Sequence, residues 1–310
     1  MGKLTTAQVT AVKGRGFLRN RGTDNFSGRV LPKGSVFTVE ELKAIVEIAE
    51  KFGNGIVAPT TRLTMEIVGI PFEKIEEAEK LAAERGLVFG GTGAKIRPIT
   101  ACKGTTCVYG NFDTQKMAED FFRDYYEAWG TVKLPHKFKI GIGGCPNSCM
   151  KPSLNDFGIE GHRTPVYDPE QCKSCANCQV FTSCPMQAVS MVDGKAVIDD
   201  AKCTSCGVCL GKCPFGALQN DAEPWFQVTV GGTWGKKTRI GTTLKGRYSE
   251  KELKSALEKT MLWYKKNAYQ GERLGKAIDR VGLEQFEREI ASGELLEHKE
   301  EILQAEMRKA

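Results

Sequence analysis

The sequence predicts an α+β protein of three parts, and three observations support this interpretation. Residues 26–86 show the order strand, helix, strand, helix, which is typical of an α+β plait. Two tandem cysteine motifs fall within residues 166–219. The strand pattern that precedes this cysteine-rich stretch resumes after it, so we expect a small unit inserted into a larger domain.

The composition is that of a globular protein. With 310 residues and 41% hydrophobic composition, the chain is long enough to bury a sizeable core. It has no run of about 18 apolar residues and no apolar stretch typical of a signal peptide, so we expect a cytoplasmic protein with no membrane partner. The formal net charge of +6 comes from scattered Lys and Arg, which indicates a mixed, solvated surface and disfavours nucleic acid as a partner.

The first strand and helix of the plait have clear local signals. A short strand is predicted at 26–31. Thr38 and Glu41 have the spacing of a capping box, which predicts the start of a helix that ends before Gly53. The segment 1–20 carries no such signal and stays unassigned.

The second strand and helix follow directly. A strand is predicted over 56–70, where polar and apolar residues alternate from Thr61 onward. This alternation places Arg62 on the polar face of the strand. Pro71 is predicted to start a helix, which Gly86 ends.

The segment after the plait is glycine-rich and is predicted to be irregular over 87–100. Neither Gly90–Gly93 nor Gly141–Gly144 completes the G-x-G-x-x-G spacing of a dinucleotide fingerprint, so no nicotinamide or flavin site is predicted. A helix is expected over 114–130, with an aromatic stripe that packs in the core.

The stretch 137–149 joins cations to cysteines. Lys137 and Lys139 are two residues apart, so on a strand they project to one face while Phe138 points to the other. Three glycines follow, and we expect them to let a large cofactor approach the backbone closely. Cys145 and Cys149 then lie on a tight turn that contains proline.

The twelve cysteines form three sets of four. Two tandem motifs, C-x2-C-x2-C-x5-C-P and C-x2-C-x2-C-x3-C-P, contain Cys172, Cys175, Cys178 and Cys184, then Cys203, Cys206, Cys209 and Cys213. The remaining four are Cys102, Cys107, Cys145 and Cys149. Because cytosolic thiols are kept reduced, these patterns predict metal ligands rather than disulfides. The tandem spacing is that of bacterial ferredoxins with four-iron clusters, and it disfavours zinc knuckles.

The rest of the chain is predicted from local signals. Residues 164–169 resemble a linker, and Asp193 followed by glycine indicates a hairpin between the two cysteine motifs. A strand is expected over 225–240. Ser249 begins a helix through a capping box, and the tail from Leu283 is predicted to be charged helix.

In these motifs the chain resembles the sulfite and nitrite reductases that contain sirohaem coupled to a four-iron cluster. The resemblance rests on segments 26–29, 60–64, 134–139, 144–149 and 231–235, which occur in family order. It implies an α+β fold with a ferredoxin-like N-terminal plait (1–86), a sirohaem-binding α/β sulfite reductase domain (87–165 and 220–310) and an inserted 2[4Fe-4S] ferredoxin domain (166–219). The chain most resembles the catalytic subunit of anaerobic or small dissimilatory-type sulfite reductases.

The resemblance also implies roles for individual residues. The coupled cluster is expected to bind Cys102, Cys107, Cys145 and Cys149, the last of which also ligates the haem iron. The expected catalytic cations are Arg29, Arg62, Lys137 and Lys139, because sulfite is an anion that must approach a haem rich in carboxylates. Cofactor contacts are expected from Asn147, Lys236, Lys237 and Arg239. The sequence departs from the family in having four residues, not five, between the first two cysteines, and five, not three, before Cys184.

The resemblance implies a sulfite reductase that reduces sulfite to sulfide by six electrons. Its expected cofactors are sirohaem and three [4Fe-4S] clusters, with electrons entering through the two ferredoxin clusters. Because no flavin or nicotinamide motif is found, a separate donor protein is implied, either a ferredoxin or a flavin/iron–sulfur subunit, and an oligomer is expected. The alternatives are a nitrite reductase that forms ammonia and an electron-relay ferredoxin subunit that lacks sirohaem.

Overall fold

The computed structural model describes residues 4–218 and 223–309. Its N-terminal part is an antiparallel five-stranded sheet, with strands β1 (Phe17–Arg19), β2 (Asn25–Leu31), β3 (Val57–Pro59), β4 (Met65–Pro71) and β5 (Val88–Phe89). The helices of this part are α1 (Thr6–Lys13), α2 (Val39–Phe52) and α3 (Ile75–Glu84). Strand β2 pairs with β4 on one side and with β1 and β5 on the other. The plait is therefore present, and β5 extends its sheet past the expected boundary into the segment predicted to be irregular.

The single strand predicted over 56–70 is wrong, because the structure has a hairpin in which a turn joins β3 to β4. The Thr60 hydroxyl accepts the backbone N–H groups of Arg62 and Thr64, both at 3.3 Å. Leu63, in the same turn, has a φ of 59°. Because these local hydrogen bonds compete with the strand ladder, Arg62 lies on a turn rather than on the face of a strand.

Three other elements differ from the prediction. Pro71 ends β4 and also lies at the predicted helix start, but the first turn, Phe72–Lys74, is a 3-10 turn that leads into α3. The strand predicted over 225–240 is only six residues long, because Gly231 turns the chain with a φ of 76°. Helix α1, unassigned from the sequence, begins at a capping box formed by Thr5 and Gln8.

The central domain begins with three parallel strands, β6 (Thr100–Ala101), β7 (Ile140–Gly143) and β8 (Phe157–His162). Between β6 and β7, helix α4 (Thr114–Phe121) continues into a π-helical segment, Phe122–Glu127. Its aromatic side chains are buried, as the sequence predicted, and they include Phe121, Phe122 and Tyr125. These elements position the loops that carry the first four cysteines.

The cysteine-rich insert leaves the central domain after β8. It contains helix α5 (Gln179–Ser183) and a hairpin of β9 (Val189–Val192) and β10 (Lys195–Ile198). The predicted Asp-Gly turn is present, because Asp193 and Gly194 have φ values of 49° and 74°. The insert has a small apolar core of its own, centred on Val180, Val189, Ala196 and Leu218. Its predicted end at 219 and the predicted return at 220 lie outside the described residues.

The chain returns to the same sheet after the insert. Strand β11 (Trp225–Val230) pairs antiparallel with β8, and β12 (Thr242–Thr243) completes the order β12-β11-β8-β7-β6. Trp225 lies opposite His162, so the insert leaves and re-enters the sheet at neighbouring strands.

Between β12 and residue 309, the last one described, lie five helices, namely α6 (Glu250–Asn267), α7 (Leu274–Val281), α8 (Leu283–Ala291), α9 (Glu294–Glu297) and α10 (Lys299–Gln304). The predicted capping box at Ser249 begins α6, which places Trp263 and Tyr264 fully inside the core. Among the described residues, no helix is both long enough and apolar enough to span a membrane.

Candidate active site

Six cationic side chains form a cationic cluster where β7 begins. They are Arg29, Arg62, Arg97, Lys137, Lys139 and Arg273, and they come from five separate segments of the chain. Burial and the positive charges of their neighbours lower the pKa values of Arg62, Arg97, Lys137 and Lys139. The structure therefore brings all four predicted catalytic cations together and adds two more. A concentration of positive charge of this size attracts anions.

The two lysines are the cations available to an external ligand. They flank Phe138, which is fully buried, so both side chains lie on the opposite side of the extended chain, as predicted. Neither ammonium group has a hydrogen bond or ion pair with any described residue. Burial, and then the charge of Arg62, lowers the pKa of Lys139 to about 8. Burial, and then the charge of Arg273, also lowers the pKa of Lys137.

The two predicted arginines reach the site but are held by the protein. Arg29 forms an ion pair with Glu66 at 2.6 Å. Arg62 donates from Nε to the carbonyl of Pro98 at 3.0 Å, from Nη1 to Asn155 Oδ1 at 2.9 Å and from Nη2 to the first carbonyl of β7 at 3.1 Å. Burial is the main cause that lowers the pKa of Arg62, to about 10. Arg62 therefore joins the N-terminal hairpin to the central sheet and contributes charge without being free.

Three residues of this site were missed by sequence reasoning. Arg97 has a buried Nε with no hydrogen-bond partner, although its Nη1 donates to the Gly91 carbonyl at 2.6 Å. Arg273 forms an ion pair of 2.7 Å with Asp156, which has no solvent exposure. Asp156 also accepts the backbone N–H of Lys139 at 2.8 Å. Burial raises the pKa of Asp156, and the arginine opposes that rise. The arginines are distant in sequence from the lysine motif, so no local signal indicated them.

The first four cysteines also come together. The Gly144 N–H donates to Cys102 Sγ at 3.2 Å. Burial raises the pKa of Cys145, and its three partner thiols raise it further. Cys149 alone among the four is exposed, after Ser148 with its φ of 52°. A thiol that faces outward can bind a group lying outside the protein core while the other three remain inside.

The glycines of β7 have a different role from the one predicted. A Cβ on Gly141 would lie 2.4 Å from Asn155 Nδ2, and one on Gly143 would lie 2.9 Å from Pro152. These glycines therefore admit the loop after Cys149, not a cofactor. Asn155 fills this space and donates to the Lys151 carbonyl at 3.3 Å while it accepts from Arg62. The cysteine turn and the cationic cluster are joined through this one side chain.

The residues predicted to contact the cofactor lie outside the cationic cluster. Arg239 forms an ion pair with Asp279 at 2.7 Å, which fastens the turn after β11 to α7. Lys236 and Lys237 are exposed in that turn, and Asn147 is exposed in the cysteine turn. These residues are not brought into the cationic cluster, and their contacts with a haem remain a prediction.

The eight cysteines of the insert line two small, largely apolar cavities. One is lined by Cys172, Cys175, Cys178 and Cys213, and the other by Cys184, Cys203, Cys206 and Cys209. The fourth cysteine of each motif therefore lies with the first three of the other motif. Within residues 4–218 and 223–309, no three His, Cys, Asp or Glu side chains converge on a single-ion site. A cubane does not require such convergence, because each of its irons binds a different thiolate.

The crossed arrangement predicts which cluster each cysteine supports. Cys184→Ser and Cys203→Ser should perturb the same cluster in electron paramagnetic resonance spectra of the reduced protein, since both thiols line one cavity. Cys172→Ser is the matched control and should perturb the other cluster. Damage to different clusters by the first two variants would contradict the crossing.

The comparison with protein families identifies the chain. Residues 92–300 match the nitrite and sulphite reductase 4Fe-4S domain, and residues 19–85 match the nitrite/sulfite reductase ferredoxin-like half domain. The chain belongs to the nitrite and sulfite reductase family. The predicted combination of a ferredoxin-like half domain with a 4Fe-4S domain is therefore confirmed.

Individual relatives of this reductase chain agree with the family. The coenzyme F420-dependent sulfite reductase of Methanocaldococcus jannaschii is 32% identical, over 89% of this chain and 44% of that protein. One subunit of the anaerobic sulfite reductase of Salmonella typhimurium is 28% identical, over 88% of this chain and 85% of its own length. The crystal structure of dissimilatory sulfite reductase I has a TM-score of 0.70 at 23% identity, over 86% of this chain and 69% of that one, and shows the same fold. The chain thus spans less than half of its F420-dependent relative. Both relatives and the solved structure are named as sulfite reductases or subunits of one.

The donor set of this reductase chain fits a sirohaem. The buried Arg97 Nε lacks a partner, and the ammonium groups of Lys137 and Lys139 are unpaired among the described residues, so an anionic macrocycle and an anionic substrate would both find donors. Cys145 follows Lys139 by six residues, which places the two no more than about 20 Å apart along β7. The exposed Cys149 supplies a thiol at the cysteine end.

Proposed function

We propose that this chain is the catalytic subunit of a sulfite reductase that reduces sulfite to sulfide by six electrons. The observation that carries the proposal is the pair of unpaired lysines at one end of β7 and the four-cysteine set at the other. This arrangement supports an anion site and a metal-cluster site on one short strand. The two cavities of the insert support a relay of two further four-iron clusters.

The protein's own residues account for anion binding and for proton delivery. Sirohaem coupled to a four-iron cluster would supply the redox chemistry at Cys149. The reaction SO3²⁻ + 6e⁻ + 7H⁺ → HS⁻ + 3H2O consumes protons as well as electrons. Lys137 and Lys139 offer ammonium groups that can bind sulfite oxygens through charge-assisted hydrogen bonds. With a pKa of about 8, Lys139 is protonated at neutral pH yet gives up its proton more readily than an ordinary lysine.

An absorption spectrum of the anaerobically purified protein, followed by an assay with a reduced viologen dye, tests the proposal. Sirohaem absorption together with sulfite-dependent dye oxidation would support it. Iron–sulfur absorption without sirohaem would instead indicate the electron-relay subunit. A strong preference for nitrite over sulfite would indicate the nitrite reductase.

The choice of sulfite over nitrite is expected to depend on Lys139. Members of the family that reduce nitrite resemble this chain at Lys137 but tend to carry asparagine two residues later. Sulfite has three oxygens and up to two negative charges, so a second ammonium favours it. Losing one charge-assisted hydrogen bond costs roughly 1.5–3 kcal/mol, so Lys139→Asn should lower kcat/KM for sulfite by about one to two decades. Nitrite reduction should be less affected.

Steady-state assays with both anions check this prediction, with the exposed Lys80→Asn of α3 as the control. The ratio of wild-type to variant kcat/KM should also fall as the pH rises through about 8, because Lys139 is charged only below its pKa. Taking the ratio cancels the ionisation of sulfite itself. The charged groups that set this pKa are Arg62, Lys137, Arg273 and Asp156. Equal losses for sulfite and nitrite would refute the selectivity argument.

A further inference from the structure

The buried side chain of Asn111 lies between the insert and the central cysteine set. Asn111 is only 4% exposed. Its backbone N–H donates to the Gly144 carbonyl at 3.0 Å. Its side-chain Nδ2 donates to the Gly161 carbonyl at 3.1 Å and to the Cys206 carbonyl at 3.4 Å. Since Gly144 directly precedes Cys145, one residue contacts the ligand loops of both metal-binding units.

The loop of Cys206 is shaped to accept this contact. Gly207 has a φ of 76°, and a Cβ there would lie 2.4 Å from Asn111 Oδ1. A side chain at this position would therefore push Asn111 away. The same loop is held against the end of β8, because the Arg163 N–H donates to the Ser205 carbonyl at 2.9 Å. The cavity lined by Cys184, Cys203, Cys206 and Cys209 is thus the one that Asn111 joins to the central domain.

We propose that Asn111 is a positioning residue for electron transfer from the cluster of Cys206 to the cluster of Cys145. This inference rests on the proposed function and gives the relay an order. Electrons from a low-potential donor protein enter the cavity of Cys172, pass to that of Cys206, and cross the Asn111 contact. In each crossing one electron leaves the first cluster and one enters the second, and no bond forms or breaks.

The contact suits this task for two physical reasons. The side-chain amide of Asn111 bonds the loop of Cys206, and its backbone N–H bonds the loop of Cys145. The two hydrogen bonds fix the separation and orientation of these loops, as the outer-shell partners of metal ligands do. The side-chain bond to Cys206 and the backbone bond to Gly144 also make a continuous path of covalent and hydrogen bonds, from the Cys206 carbonyl through Asn111 to the residue next to Cys145. Without the side-chain amide, the Gly161 and Cys206 carbonyls would lose this donor, and only the backbone hydrogen bond from Asn111 to Gly144 would remain.

Stopped-flow reduction of the holoenzyme by reduced methyl viologen tests the proposal. In Asn111→Ala, reduction of the coupled centre should be about tenfold slower, the scale of losses seen when outer-shell partners are removed. Reduction of the insert clusters, their paramagnetic resonance spectra and the midpoint potentials of all three clusters should be unchanged. Asn111→Ser, which keeps one donor, should be slowed less.

His162 provides the matched control. It is also buried, and its ring Nδ1 donates a hydrogen bond to the Thr204 carbonyl at 2.9 Å, but its side chain has no hydrogen bond to the Cys206 carbonyl. His162→Ala should leave the transfer rate near the wild-type value. An equal slowing in that variant would mean that Asn111 merely anchors the insert and would overturn the proposal. A wild-type transfer rate in Asn111→Ala or Asn111→Ser would also overturn it. If the alanine variant does not bind its clusters, the transfer rate of the serine variant decides the outcome. Sulfite turnover of the wild-type enzyme reports separately on the proposed function.

Discussion

In the proposed sirohaem enzyme, replacing Cys149 with serine should abolish the magnetic coupling between the haem and its four-iron cluster and lower sulfite reduction by more than ~100-fold, beyond the usual 10–100-fold effect of outer-shell partners. The reason lies in the position of this thiol. Three of the four cysteines are at least partly enclosed, whereas Cys149 is exposed after a left-handed residue. A single thiolate can bridge two metal centres only where it is accessible and deprotonated. A serine hydroxyl gives up its proton far less readily, so the bridge should be lost even where sirohaem still binds.

Low-temperature paramagnetic resonance and Mössbauer spectra of Cys149→Ser measure the coupling directly. Met150→Leu, at the next residue, is the control for disturbance of the turn and should keep both coupling and turnover. Cys145→Ser should damage the cluster itself, since the buried Cys145 lies among its three partner thiols. If Cys149→Ser kept its coupling and full turnover, another of the four cysteines would have to be the bridge.

Asp156→Asn should destabilise the central domain by about 3–5 kcal/mol, the usual cost of removing one partner of a buried ion pair. Asp156 has no exposure, and it receives both the Arg273 guanidinium and the Lys139 backbone N–H. The asparagine keeps the shape but leaves the arginine, which is only 14% exposed, without a counter-charge. Arg273→Met in the same chain should recover part of the loss, because both charges are then gone.

Hydrogen exchange of the β7 and β8 amides reports this local stability. Asp279→Asn is the matched control, because Asp279 pairs with Arg239 at the same 2.7 Å but its side chain is 58% exposed. That exposed pair should be worth less than about 1 kcal/mol. Similar losses in the two variants would show that the burial of Asp156 does not determine its contribution.

The elements that depend on local chemistry were predictable from the sequence. The capping boxes at Thr38 and Ser249 begin α2 and α6, and the Asp193 turn closes its hairpin, because each signal lies within a few residues. The hairpin turn at Thr60 was missed, since polar alternation looks the same whether the chain continues or turns. Only the hydroxyl hydrogen bonds and the positive φ at Leu63 distinguish the two.

The site was predictable where residues share a motif and unpredictable where tertiary structure supplies them. Lys137 and Lys139 follow from alternation along one segment. Arg97 and Arg273 reach the site from distant segments, and no pattern joins them to the lysines. The glycines of β7 show a different limit of prediction from sequence. The sequence indicates that something approaches the backbone closely, but it cannot indicate whether that is a cofactor or Asn155.

The pairing of β8 with β11 places both ends of the insert side by side on the central sheet. Trp225 lies opposite His162, and neighbouring antiparallel residues have Cα atoms about 4.5–5.5 Å apart, a gap that a two-residue turn closes. Residues 163–224 could therefore be exchanged for such a turn, or for another redox unit, without changing the register of the central sheet. Under the proposed function, an electron relay could then be added or removed at this one hairpin position, and the same sheet could accept electrons from donors of very different construction.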